Sequence, residues 1–132
     1  MAGYSGAPLI KKLGIKDGMR VWFRRAPDHY LALLGDVPTD LDEAALNDIN
    51  FIHVFYYERA DFEQELPGLM DKMARDGMTW VSWPKKASKV PTTMSEDIIR
   101  EVALPMGLVD VKVCAVDEIW SGLKLMIRKE LR

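Results

Sequence analysis

Lys85, Lys86, Ser88 and Lys89 close the stretch Gly77–Lys89, GMTWVSWPKKASK. Ammonium groups, a hydroxyl and the N–H groups of a loop are the donors that hold a phosphate or a carboxylate. The loop follows Met78–Trp83, which is too apolar to be anything but a buried strand, with Trp80 and Trp83 on opposite faces. Pro84 cannot donate to a sheet ladder, so pairing should stop there and the chain should leave the sheet. Burying two unpaired ammoniums is prohibitive, so Lys85 and Lys86 are expected to be exposed at the carboxyl edge of the sheet. The competing reading is a solvated loop kept soluble by its lysines. The glycines and the Gly-Lys-Ser/Thr ending of a P-loop are missing.

A second group is Asp117, Glu118, Trp120 and Ser121, in the bend between the last two strand-like runs. An acid beside an indole can orient an amine or a sugar-like group. The plainer reading is an aspartate that caps backbone N–H groups of the turn beside a tryptophan that covers core. His29 and His53 are the only histidines. His29 follows Asp28 just after the first strand, at the edge where ligands bind in open α/β sheets, and an imidazole with a carboxylate can do acid–base work. His53 alternates with Phe51 and Phe55, which marks a buried histidine hydrogen-bonded to a neighbour. Cys114 lies in a run of valines with no histidine near it, the setting of an inert core thiol. No spacing offers the four ligands of a zinc site, so no metal is expected.

These residues need elements to position them. Pro8–Leu13 reads as a short helix stopped by Gly14, and Arg20–Arg24 as the first strand. His29–Leu34 is a short helix ended by Gly35. Residues 36–48 are acidic through Asp40, Asp42, Glu43 and Asp48, with a short helix from Glu43 to Asn47 as one reading and a solvated surface as the simplest role. Phe51–Tyr57 is aromatic and β-branched without alternation, as in a strand covered on both faces. Asp61–Asp76 carries Phe62, Leu66, Leu69, Met70 and Met73 on one helical stripe. Pro67 falls inside it, which predicts a kink or a second helix start. Thr93 and Glu96 match a capping box ahead of a helix buried through Ile98, Ile99, Val102 and Ala103. Val109–Val116 alternates, with Val109, Val111, Val113 and Ala115 on one face and Asp110, Lys112 and Cys114 on the other. Leu123–Arg128 alternates as well, and so short a link makes these two strands antiparallel. Alternating β and α units before them predict a mostly parallel sheet with right-handed crossovers.

The chain has 132 residues, the length of one domain, with residues 1–7 as a loose tail. Apolar residues are 48% and charged residues 29%, and the net charge is -2, with no basic stripe. Bulk charge therefore draws it to neither nucleic acid nor anionic lipid. One cysteine permits no intrachain disulfide, and the first fourteen residues hold no long apolar core, so a cytoplasmic location is expected. No run nears the ~20 apolar residues that span a bilayer.

This order of elements resembles the class I SAM-dependent methyltransferase fold, whose sheet also ends in a β-α-β-β unit with the last strand antiparallel. KLGIKDGMRVWF is similar to the entry into that fold's first strand, and the likeness runs from about Lys11 to Arg128. It implies a single Rossmann-like α/β domain of three α/β/α layers, mostly parallel, with a C-terminal antiparallel strand. The family has a glycine-rich cofactor turn after its first strand. Here that position reads RRAPDHY, without glycine. The family's ribose-binding acid follows its second strand, where Asp40 or Asp42 can imitate it. WPKKAS (Trp83–Ser88), SEDIIRE (Ser95–Glu101) and VDVKVCAVDEIWSGLKL (Val109–Leu125) also resemble signatures of a family of small bacterial proteins known only as a domain of unknown function. That resemblance brings no mechanism.

The reading is a non-catalytic binding or interaction module on a degenerate methyltransferase-like scaffold. Its candidate ligand residues are Lys85, Lys86, Ser88, Asp117, Trp120 and His29, and it needs no cofactor. Partners left open are a small anion, another protein or a second copy. The rival is a divergent enzyme, methyltransferase-like or acting on an anionic small molecule.

Overall fold

The computed structural model describes residues 8–35 and 47–132. The acidic segment through Asp40, Asp42 and Glu43, its short helix, and the tail at 1–7 lie outside the described residues.

Leu9–Leu13 (α1) ends on Gly14, whose φ of 91° suits a residue without a side chain. Val21–Arg24 (β1) and Tyr30–Leu34 (α2) follow. Ile49–Phe55 (β2) leads to the 14-residue helix Arg59–Lys72 (α3), then to Met73–Pro84 (β3). Glu96–Ala103 (α4), Leu108–Ala115 (β4) and Trp120–Ile127 (β5) complete the order, with single 3-10 turns at Lys86–Ser88, Leu104–Met106 and Lys129–Leu131. The sheet runs β1-β2-β3-β5-β4. β1, β2 and β3 are parallel, and β5 is antiparallel to both β3 and β4. The carboxyl ends of β1, β2, β3 and β4 therefore share one edge of the sheet.

Two cores flank this sheet. On one face α3 and α4 cover Ile52, Val54, Val81, Trp83, Leu123 and Leu125. On the other α1 and α2 cover Val21, Phe51, Phe55, Met78 and Trp80. Trp80 and Trp83 do face opposite ways, and the Trp80 indole donates to the Leu13 carbonyl at 2.8 Å, tying α1 down. Among the described residues no helix is long and apolar enough to cross a membrane.

Four details differ from the sequence reading. No second helix starts at Pro67, which lies within one continuous α3. It also ends at Lys72, before Gly77, because the chain is already extended at Met73. Gly77 instead sits inside β3, where a Cβ would lie 2.7 Å from the Ile49 carbonyl oxygen, so β2 and β3 approach this closely only with glycine there.

The cap of α4 is Ser95, whose hydroxyl accepts from the Ile98 N–H at 3.2 Å. Thr93 bonds to the Arg59 N–H and to Glu58 instead, joining the starts of α3 and α4. The fourth difference is a bulge in β4. Asp110 pairs with Leu125 and Lys112 with Lys124, which leaves Val111 as an extra residue. One extra residue inverts the alternation beyond it. Asp110 thus reaches Arg100 of α4 on one face, and Lys112 reaches the Lys12 carbonyl at the end of α1 on the other. Val111 and Val113 are left about half exposed, while Cys114 is buried.

Candidate functional site

At the carboxyl edge the bend after β4 meets the loops after β1 and β3. Asp117 organises the bend, as an aspartate in a turn should. Its Oδ1 accepts from the N–H groups of Ile119 and Trp120 at 2.8 and 2.7 Å. Its Oδ2 accepts from His29 Nε2 at 2.6 Å. Burial alone would raise this carboxyl, but the bonds from His29, Trp120 and Ile119 outweigh burial and hold it below the ordinary aspartate value. His29 meets Asp117 through Nε2 on a side chain that is 50% exposed. The sequence places Asp28 beside His29, yet the carboxylate that holds the ring is 88 residues away.

Lys85 belongs to the same bend. Its Nζ donates to the Asp117 carbonyl at 2.9 Å and its N–H to the Ile119 carbonyl at 2.8 Å. The expectation of an exposed Lys85 is therefore corrected: the ammonium is partly buried and satisfied by a carbonyl. Ser88 is spent on its own loop, donating to the Lys85 carbonyl and accepting from the Val90 N–H. Trp120 is buried against Phe55, with Tyr57 at its edge, and is part of the core. Glu118 is exposed.

Lys86 and Lys89 face outward, and among the described residues neither ammonium has an ion-pair or hydrogen-bond partner. They stand on the rim of a groove of about 390 Å³ between the β3–α4 connection and the start of α4. Trp83, Pro84, Val90, Pro91, Thr92, Met94 and Ser95 line the rest. Lys89 holds a left-handed φ of 60°, which turns the loop back across the end of β3. The lysines were legible in the sequence. The groove was not, because Trp83 and Met94 come together only when α4 packs on the sheet.

The turn after β1 is built unlike the glycine turn of the resembling family. Arg25 itself takes a φ of 60°, at a cost of about 1–2 kcal/mol for a residue with a Cβ. Its guanidinium and that of Arg24 both close on Glu65 of α3. Arg24 donates to the two carboxylate oxygens at 2.9 and 3.0 Å, and Arg25 to Oε2 at 3.2 and 2.8 Å. The Tyr56 hydroxyl adds a bond to Oε1 at 2.7 Å. Burial pushes the Glu65 carboxyl up, but these three partners together bring it down to about 2. Nothing in the local sequence pointed to this clamp, since Glu65 lies some 40 residues from the arginines.

Beneath the edge, His53 is fully buried. Its Nδ1 meets the Tyr30 hydroxyl at 2.6 Å and its Nε2 the Ser82 hydroxyl at 2.7 Å. Burial pushes its pKa down to about 3, so the ring is neutral. Burial also raises the Cys114 thiol, as expected of an inert residue. Among the described residues no group of three or more His, Cys, Asp or Glu side chains could hold a metal ion.

No family model matches the chain, and no curated protein matches it. Solved structures do. A Sulfolobus solfataricus protein described as a type 11 methyltransferase aligns with a TM-score of 0.68 at 14% identity, over 92% of this chain and 90% of that one. A SAM-dependent methyltransferase from Aquifex aeolicus aligns with a TM-score of 0.58 at 15% identity, over 90% and 87%. The magnesium protoporphyrin IX methyltransferase of Synechocystis PCC 6803, solved with bound SAM, aligns with a TM-score of 0.58 at 10% identity, over 92% and 74%. At these identities the likeness is one of fold: the chain has the Rossmann-like α/β architecture of the SAM-dependent methyltransferases.

Proposed function

We propose that the chain is a non-catalytic binding module on a methyltransferase-like scaffold, taking an anionic ligand against Lys86 and Lys89. The observation that carries the first half is the Arg24–Arg25–Glu65 clamp. SAM needs a turn whose backbone closes on it, which glycine allows. Here that turn carries Arg25 in the left-handed conformation, with its side chain drawn onto α3. These residues do not fit SAM in the family's usual mode. The second half rests on the groove, where two ammoniums without partners among the described residues stand over one opening.

Calorimetry tests both halves. Wild type is expected to bind inorganic phosphate or acetate and to show no micromolar affinity for SAM. The double variant Lys86→Ala, Lys89→Ala is expected to bind those anions about tenfold more weakly or worse, the scale of losing charge-assisted bonds. Its melting temperature should be unchanged, since neither side chain packs in the core. Anion binding that ignores the double substitution removes the lysine site.

The second reading, a divergent enzyme, is favoured by His29. Asp117 holds this half-exposed ring through Nε2, a histidine–carboxylate pair of the kind a general base uses. Micromolar SAM affinity in the same calorimetry, lost in His29→Ala, is the result expected from this reading and contrary to the first.

A further inference from the structure

Lys112 of β4 and Lys124 of β5 stand directly opposite each other in the antiparallel ladder, and Trp80 of β3 is next in the same row. Residues paired this way project from the same face. Here it is the face that α1 covers, where Lys112 reaches the Lys12 carbonyl at 3.4 Å. That bond is long and leaves the ammonium two further donors. Lys16 is exposed just past the Gly14 cap of α1. Burial first, and then the charges of Lys112 and Lys16, hold the Lys124 ammonium below the ordinary lysine value. Among the described residues no carboxylate pairs with Lys16, Lys112 or Lys124. Like charges directly opposite each other destabilise a strand pair. A lysine on an outer strand deters pairing with another chain, which accounts for Lys112. It does not account for Lys124, which lies partly buried on the inner strand β5, between Trp80 and Lys112.

We infer that Lys16, Lys112 and Lys124 form a second anion site, apart from the groove at Lys86 and Lys89, and that it takes a chain of linked phosphates. The groove lies beside α4 and the cluster on the α1 side, so neither reading depends on the other. Cations gathered at one place call for a ligand whose charges are equally close together, and linked phosphoryl groups supply that. All three cations are ammoniums, compact point charges that meet phosphate oxygens from any direction. A planar carboxylate is held best by the fork of an arginine. The chain lies across β4 and β5, so that Lys112 and Lys124 face neighbouring phosphoryl groups and Lys16 closes over the α1 end. Binding cancels the repulsion between the opposed lysines, so the ligand stabilises the fold as it occupies the site.

Calorimetry at low ionic strength tests it on the Lys86→Ala, Lys89→Ala protein, in which the groove is silenced. The probes are tripolyphosphate, ATP, inorganic phosphate and a hexaglutamate peptide. Tripolyphosphate is expected to bind about tenfold tighter than inorganic phosphate or better, and to raise the melting temperature. Adding Lys112→Gln and Lys124→Met should weaken it about tenfold or more. Without ligand that variant should melt at the same temperature or higher, because the opposed charges are gone. In NMR, tripolyphosphate should move the amide resonances of Lys16, Lys112 and Lys124 in the protein that keeps them, a readout that needs no folded variant. ATP matching tripolyphosphate supports the phosphate chain as the part recognised, and ATP binding more tightly marks a nucleotide as its source. Hexaglutamate or inorganic phosphate binding as tightly as tripolyphosphate overturns the phosphate chain. Absence of tripolyphosphate binding, or binding that ignores the two substitutions and leaves those amides in place, overturns the site.

Discussion

His53→Ala is expected to cost about 3–5 kcal/mol of unfolding free energy, the largest loss from any single change considered for this chain. The substitution opens a cavity in a ring that stacks on Phe55 and meets Tyr30 edge-on. It also strands the Tyr30 and Ser82 hydroxyls, which lose their shared partner in the core. Tyr30→Phe removes only one bond and should cost less, about 1–2 kcal/mol. The imidazole also sets a pH dependence. Its folded pKa, about 3, lies below the ordinary 6.5 because burial disfavours the cation. Above 6.5 the ring is neutral in both states and its contribution is whole. As the pH falls from 6.5 toward 3 the unfolded chain takes up a proton that the folded chain refuses. Stability should then fall by up to about 1.4 kcal/mol per pH unit. Urea unfolding of wild type and His53→Ala at pH 7.5, 6, 5 and 4 reads this out. A wild-type slope between pH 6 and 5 no steeper than the variant's defeats the account.

Glu65→Gln is expected to cost about 1–3 kcal/mol at neutral pH. The amide keeps the shape but removes the carboxylate both guanidiniums share, leaving Arg25 only the longer 3.8 Å contact to Asp61. Both arginines are about 40% exposed, and that solvation holds the figure below the cost of breaking a fully buried pair. The pH window differs from that of His53. Hydrogen bonds from Arg24, Arg25 and Tyr56 outweigh burial and take the folded carboxyl from 4.5 down to about 2. Its contribution is therefore present above 4.5 and is lost as the pH falls toward 2. In Glu65→Gln that lower limb should disappear while the His53 limb from pH 6.5 remains. Chemical denaturation at pH 7, 5 and 3 separates the two, and an unchanged acid limb in the variant would show that Glu65 is not its source. The variant also frees the β1 turn from α3, so any SAM affinity absent from wild type should be sought there.

The order of layers was legible in the sequence because periodicity survives packing. Phe51–Tyr57 showed a strand covered on both faces, and it lies between β1 and β3 with helices on either side. His53 was readable as a buried, bonded ring from its alternation with Phe51 and Phe55. Its partners were not, since Tyr30 and Ser82 come from other elements. Asp117 was readable as a turn cap, but its hold on His29 spans the whole fold. The alternation of β4 was misread because a bulge leaves no local mark in VDVKVCA. The helix cap was misread because TTMSED offers two overlapping cap patterns, and the later one wins when Thr93 is drawn to α3. Candidate ligand residues suffered in the same way: residue type identified the lysines, while only packing separated Lys85, spent on a carbonyl, from Lys86 and Lys89.

The bulge at Val111 also bears on what the open side of β4 can do. An outer strand with half-exposed valines is ordinarily a template on which another extended chain can grow. Here the stretches before and after Val111 have opposite side-chain phase, with Asp110 turned to one layer and Lys112 to the other. A strand from a neighbouring molecule keeps its own unbroken phase. It can match Leu108–Asp110 or Lys112–Ala115, and a fit to one stretch sets it against the other. Each match is only three or four residues long, so the one inserted residue makes this edge a poor template for an added strand.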